Sequence, residues 1–332
     1  MTVLVTGGAG YIGSHTVRQL RAIGRDVVVL DSLELGRADS LFDTQLVVGD
    51  IADAELVRKI CRDHEVDQVV HFAAYKNVGE SMRDPAKYWR NNVSSAVELV
   101  QAVVEAGVRR FVFSSSCSVY GNPPRVPVSE DSPIRPESVY AQTKAIVEDL
   151  LRWYGATHQL HSVSLRYFNA AGASSDGVIG EDWTYSQNLI PVVMKAALGV
   201  SGPLEVYGDD YPTADGTCIR DYIHVEDLAD AHVRALEFTG HTEGPASVAV
   251  NAGTGEGTSV LEVIRLTQEC SGRTVPYRVV GRRQGDPVET YADVSTASSM
   301  LGWRASRSMR EVIASAWAWH VKSLSSDSDH TS

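Results

Sequence analysis

A chain of 332 residues can bury the core of one large domain or two smaller ones, and 43% hydrophobic with 22% charged residues is a globular composition. The formal net charge of -12 argues against nucleic acid or an anionic membrane surface as a general partner, although a local basic cluster can still hold a small anion. No run of about 18 apolar residues offers a membrane span. The N-terminal apolar stretch is too short, and too poor in basic residues, for a secretory leader. Cys61, Cys117, Cys218 and Cys270 are scattered and form no C-x-x-C pair, which argues against a disulfide frame or a metal site. A cytoplasmic, metal-free enzyme is expected.

In chain order, TVLVTG (2–7) reads as a strand and Ile12–Ala22 as a helix. DVVVLD (26–31), QLVVGD (45–50) and DQVVHFAA (67–74) read as further strands. An amphipathic helix over Pro85–Ala106 leads into the strand RRFVFSSS (109–116), a helix over Tyr140–Tyr154 and the strand HSVSLRYFN (161–169). Continuous apolar strands alternating with helices predict an α/β fold, a Rossmann-type doubly wound parallel sheet. Residues 1–169 form that expected first domain and 170–322 a smaller α/β substrate-binding domain, with the segment near 217–250 packing back onto the first. Residues 323–332 are polar and aperiodic, which predicts a disordered tail.

In TGGAGYIGSH, Gly7, Gly10 and Gly13 form G-x-x-G-x-x-G, and Gly8, Gly10 and Gly13 also satisfy G-x-G-x-x-G. Between a strand and a helix, such glycines permit a tight turn, close backbone approach to a pyrophosphate and helix–strand packing. The helix N-terminus adds free N–H groups for phosphate. Asp31 ends the second strand about 20 residues on, where a carboxylate accepts both ribose hydroxyls of NAD and repels a 2′-phosphate. Asp50 closes the third strand and is read equally as an acceptor for the adenine amine or as a turn residue.

Tyr140 and Lys144 share a helix face at i, i+4 spacing. An adjacent ammonium favours the phenolate, so the pair is expected to lower the Tyr140 pKa and make it an acid/base group. Ser116 ends a strand at the carboxyl edge of the sheet, placed to bond a substrate hydroxyl and relay its proton; Ser114 and Ser115 read as strand-end caps.

TGGAGYIGSH, HFAA, FSSSCSVYG, YAQTK, LRYFNAAG, RDYIHVEDLAD and RRQGD occur in that order over about residues 1–320. Together they resemble the extended short-chain dehydrogenase/reductase family, and within it the nucleotide-sugar epimerases. The resemblance implies an NAD-dependent isomerase that interconverts UDP-galactose and UDP-glucose through a 4-keto sugar, as a homodimer joined by the helices near Pro85–Ala106 and Tyr140–Tyr154. It assigns Tyr11, Ile12, Ser32, Leu33, Ile51, Phe72, Ala73, Ala74, Lys76, Asn91, Ser114 and Phe168 to the cofactor, and gives Lys144 its nicotinamide ribose. Lys76, Tyr167, Asn169, Asn188 and Leu189 fall at substrate positions. Tyr207 falls beside the uracil, Arg220 and Arg283 at the diphosphate, and Asp286 near the nucleotide ribose. Related dehydratases and decarboxylases carry one or two acids after the catalytic Ser or Thr; here Cys117 and Ser118 stand there. Thr290 stands where narrow pockets carry tyrosine, which suggests that N-acetylated UDP-sugars are also accepted. An NAD-sensing protein without catalysis is the alternative of a different class.

Overall fold

The computed structural model describes residues 1–184, 186–240, 246–283 and 285–329. Its largest sheet has six strands β1 (Thr2–Thr6), β2 (Asp26–Asp31), β3 (Gln45–Val48), β4 (Val66–His71), β5 (Arg110–Ser114) and β6 (His161–Tyr167), with Ser247–Ala252 as a seventh beside β6. All pair in parallel, and across the sheet the order runs Ser247–Ala252, β6, β5, β4, β1, β2, β3. The chain therefore builds outward from β1 in one direction and then returns to its other side with β4. That reversal opens a crevice beyond the carboxyl ends of β1 and β4, where open α/β sheets bind ligands.

Side-chain alternation gives each face its own core. Val3, Val5, Val29, Val70, Val112 and Val163 pack with Val17, Leu20, Leu228 and Leu236 of the helices Tyr11–Ala22 and Val225–Phe238. On the opposite face Leu4, Val28, Leu30, Val69, Phe111 and Phe113 meet Val57, Leu99, Val103, Val147 and Leu151 of Ala54–Asp63, Ser95–Glu105 and Val139–His158. Each such side chain contributes about 1.5–3 kcal/mol on burial, so a sheet covered on both sides demands the near-continuous apolar strands of this sequence.

The expected helix over Pro85–Ala106 is interrupted. Pro85–Tyr88 and Ser95–Glu105 are joined by a wide π turn over Trp89–Ser94. The turn carries the buried Asn92, whose amide accepts from Tyr75 N at 2.9 Å and donates to Tyr75 O at 3.0 Å and Thr143 Oγ1 at 3.2 Å. The helix expected over Tyr140–Tyr154 is longer, Val139–His158, and is capped by Ser138 Oγ accepting from Ala141 N at 3.2 Å.

In the second half the helices Leu189–Leu198, Val260–Ser271 and Met309–Asp329 enclose a separate core around Val193, Met194, Ile264, Val312 and Ile313. Strand Leu204–Tyr207 pairs with Tyr277–Val280, and Ile219–Arg220 lies between Thr258–Ser259 and Glu289–Thr290. The fully buried Asp221 holds these loops together, accepting from Thr254 N, Thr254 Oγ1, Gly255 N and Ala292 N at 2.8–3.1 Å. Where an aperiodic tail is expected from residue 323, the last helix continues to Asp329, uninterrupted by glycine or proline; residues 330–332 lie outside the described residues. Among the described residues, no helix is long and apolar enough to cross a membrane.

Candidate active site and nucleotide cleft

The glycine turn sits at the β1/β4 crevice, and its geometry explains its composition. Gly7 has φ +72°, and a Cβ on it would lie 2.5 Å from Ala73 N. A Cβ on Gly13 would lie 2.3 Å from Gly7 O, and one on Gly8 2.8 Å from the Val29 side chain. Gly10 is the N-cap of the Tyr11–Ala22 helix and supplies no side-chain cap, so the first N–H groups of that helix remain for an anion. Phe72 N and Ala73 N both donate to Thr6 O, at 2.8 and 3.1 Å, which closes β4 directly against the turn.

Asp31 is buried, and each carboxylate oxygen takes a backbone N–H at 2.9 Å: Oδ2 from Ala9 in the glycine turn and Oδ1 from Leu33. The carboxylate is thereby fixed beside the turn. Ser32 Oγ accepts from Glu34 N at 3.4 Å, and Leu33 adopts φ 58°. Asp50 Oδ1 accepts from Ala52 N at 2.8 Å, so the turn role of this residue is realised, while Ile51 enters the core. Ile12 packs on the opposite core, and the Phe72 ring lies 4.7 Å from that of His232. Tyr11 OH donates to Gly172 O at 2.7 Å, and Asn91 Nδ2 to Asn92 Oδ1 at 2.9 Å. A glycine cradle that any Cβ would fill, an uncapped helix N-terminus and a fixed acid at the end of β2 fit NAD.

At the carboxyl end of β5 the chain turns sharply, with Ser115 N donating to Phe113 O at 3.0 Å. Ser114, Ser116, Tyr140 and Lys144 are all more than nine-tenths buried there. Ser116 Oγ accepts from Ser118 N at 3.2 Å and Ser118 Oγ at 2.9 Å. The Tyr140 phenol lies beside Ser116 and Tyr167, and Tyr167 beside Ser114, near enough for each to influence the other's titration. Lys144 Nζ donates to Ser114 O at 2.7 Å and lies 5.9 Å from the centroid of the Tyr140 ring.

The protein alone does not lower the Tyr140 pKa as expected. Burial pushes that phenol well above its ordinary value, reinforced by Tyr167 and opposed by the Ser116 hydrogen bond. Burial also lowers the Lys144 ammonium to about 7, with Glu148 acting the other way. The i, i+4 spacing sets both groups on one helix face, and desolvation is the leading cause of both shifts. Cys117, which follows Ser116, is pushed up to about 12 by burial and by Asp221, with Arg220 opposing. It offers no charge at neutral pH.

Across the cleft, Asn169 N and Nδ2 both donate to Asp221 O at 2.9 Å, and Phe168 packs in a small buried cluster with Val119 and Tyr120. Arg220 donates to Ile219 O and Pro287 O at 2.8 and 2.9 Å, and lies 3.7 Å from Asp286 Oδ1. Asp286 N donates to Arg283 O at 3.3 Å, and the Arg283 guanidinium lies over the Tyr207 ring at 4.3 Å. Tyr207, Arg220, Arg283 and Asp286 thus form one cluster, although Tyr207 OH also bonds Glu205 at 3.0 Å. Thr290 is buried beside it, its hydroxyl without a hydrogen-bond partner.

A buried acid outside every sequence motif closes this wall. Glu181 is buried, and its Oε1 accepts from Lys76 Nζ at 3.2 Å, Ser186 Oγ at 2.8 Å and Asn188 Nδ2 at 3.1 Å. It joins the nucleotide side, through Lys76, to the N-cap of the helix that begins at Leu189. It lies in an aperiodic loop, 105 residues from Lys76, and no local pattern marks it.

A dinucleotide cradle beside a buried Ser–Tyr–Lys group defines a class, and the chain belongs to it: the model of the NAD dependent epimerase/dehydratase family matches residues 3–253. Within that class, the UDP-glucose 4-epimerase of Lactobacillus helveticus is 45% identical over 322 residues, covering 96% of this chain and 97% of that protein. The crystal structure of UDP-glucose-4-epimerase from Stenotrophomonas maltophila, with bound NAD and formylated UDP-arabinopyranose, superposes with a TM-score of 0.95 at 42% identity, covering 98% and 99% of the two chains. That of the Brucella ovis UDP-glucose 4-epimerase in complex with NAD gives 0.93 at 44% identity, covering 96% and 98%.

Proposed function

We propose that this protein interconverts UDP-galactose and UDP-glucose by NAD-dependent epimerisation at sugar C4. The observation that carries the reading is the buried Ser116–Tyr140–Lys144 group beside the dinucleotide turn, followed by Cys117 and Ser118 rather than by acids. Gly7, Gly10, Gly13, Asp31, Lys76 and Lys144 hold NAD, which when bound supplies reversible hydride acceptance at C4. Tyr140 exchanges the 4-hydroxyl proton, directly or through Ser116. Burial works against the Tyr140 phenolate, so positive charge nearby is required, and Lys144 provides it. Arg220 and Arg283 grip the diphosphate with charge-assisted hydrogen bonds, and Tyr207 offers a ring to the uracil. Anchoring the diphosphate leaves the 4-keto sugar free to turn over and present its other face. Elimination would need an acid/base group beyond C4, and positions 117 and 118 supply none.

The reading extends to N-acetylated UDP-sugars, because Thr290 is small and its buried hydroxyl has no partner. It includes a cytoplasmic homodimer. Val97 and Trp153 are exposed on the helices Ser95–Glu105 and Val139–His158, which Tyr154 OH and Gln101 bridge. Light scattering at twice the chain mass of 36.0 kDa is the expected result. Incubation of the purified protein with UDP-galactose, followed by identification of UDP-glucose, tests the reaction; absence of product rejects it.

A further inference from the structure

Ser114, Ser115 and Ser116 are each held differently, although they are consecutive. Ser114 O accepts from Lys144 Nζ at 2.7 Å, Ser115 Oγ donates to Glu148 Oε1 at 2.5 Å, and Ser116 lies beside the Tyr140 phenol. Tyr140, Lys144 and Glu148 are spaced i, i+4, i+8 along Val139–His158, so one helix face meets all three serines and holds the first two by hydrogen bonds.

Glu148 is itself fixed from the sheet. Arg166 on β6 donates to its carboxylate through Nε and Nη2 at 2.6–3.2 Å, with 8% and 11% of the two side chains exposed. The other arm, Arg166 Nη1, donates to Tyr120 OH at 2.9 Å, which in turn donates to Asn251 Oδ1 at 2.7 Å. A buried ion pair is poor evidence for stability, since apolar side chains of similar volume often serve as well. The contacts of this pair run to the catalytic turn, which gives the carboxylate another use.

We propose that Glu148 is a positioning residue for the reaction: through Ser115 it fixes the Ser114–Ser116 turn, and from one helical turn beyond Lys144 it supplies the buried counter-charge of that ammonium. The proposal rests on the reading of Tyr140 and Lys144 given above. The other groups around Lys144 cannot do this. Tyr140 is uncharged in the protein alone, and the Phe113 ring, 4.7 Å from Nζ, offers only its face. His71 and His232, both within electrostatic reach, are lowered by burial to about 3 and about 4 and are neutral. Arg166 is the cation nearest to Glu148 and takes up part of its charge, yet among the described groups Glu148 is the one whose charge favours the Lys144 ammonium against burial.

The test begins with a readout that needs no turnover. The chain has six lysines, so lysine labelled with carbon-13 at Cε gives a spectrum in which Lys144→Met assigns Lys144. Lys144 and Glu148 stand one helical turn apart, and removing an opposite charge within about 4–6 Å shifts a titration by about one unit or more, an effect that the Arg166 charge beside Glu148 partly offsets. In Glu148→Gln, which keeps an acceptor for Ser115, the Lys144 midpoint should therefore fall by about one pH unit. Turnover of UDP-galactose at pH 7.5 should fall in kcat by about tenfold, the loss of ammonium that such a shift produces, with KM within about twofold. Ser115→Ala should leave the Lys144 midpoint in place and lower kcat by a few-fold. If Glu148→Gln does not fold, Glu148→Gln/Arg166→Gln removes the pair together; because the positive charge of Arg166 is lost as well, the Lys144 midpoint should fall by less, with the loss of activity still in kcat. An unmoved Lys144 midpoint, or a loss confined to KM or to the melting temperature, overturns the proposal. Wild-type protein without turnover but with the shift intact would instead overturn the functional reading.

Discussion

The two walls of the cleft are made of different materials. The nucleotide wall is backbone: Gly7 against Ala73, Gly13 against Gly7, and an uncapped helix end. The opposite wall is side chains on loops and short strands: Tyr207, Arg220, Arg283, Asp286 and Asn188. Backbone contacts are fixed once the sheet folds, whereas arginines and a half-buried aromatic ring on a short strand rearrange without disturbing a core. One wall suits a cofactor that stays, the other a substrate that must enter, turn and leave.

The largest expected effect lies on the rigid wall. Gly7→Ala places a Cβ 2.5 Å from Ala73 N at φ +72°, so we expect a loss of about 1–3 kcal/mol in stability and of most bound NAD, read by melting and by NAD released on denaturation. Between the walls, Tyr140→Phe should lower kcat by about 10²–10⁴-fold while leaving bound NAD unchanged. On the side-chain wall, Arg220→Met should raise the Kd for UDP by about 10–100-fold in calorimetry, the equivalent of one charged hydrogen-bonding group, with NAD content intact. Loss of NAD in that variant would break the separation of the walls. Glu181→Gln tests the clasp between them and should raise KM for UDP-galactose a few-fold, with kcat nearly constant. The smallest effect on the UDP-glucose pair is expected from Thr290→Tyr, which should abolish turnover of UDP-N-acetylglucosamine; equal loss of both substrates would refute its role in pocket size.

The same contrast decides what could be read from the sequence. A backbone that approaches another backbone admits only glycine, so residue identity encodes geometry directly, and the turn and its sheet were legible. The Tyr140–Lys144 pair was legible because one helix carries both. Its charge state was not, since burial is a property of the whole fold and leads the shift of both groups. Asn92, Glu148 and Glu181 escaped notice because each is a single polar residue whose partner is remote in sequence. Asn92 also widens a helix that a regular 3.6-residue pattern reads as unbroken.

The central claim is that the hydrogen at C4 leaves the sugar and returns to the same molecule. UDP-galactose carrying deuterium at C4 tests it directly, by mass and proton spectra of the product. The account predicts UDP-glucose that retains the deuterium at C4, with no net accumulation of NADH. Release of the label to solvent, a deoxygenated keto sugar or stoichiometric NADH would contradict it.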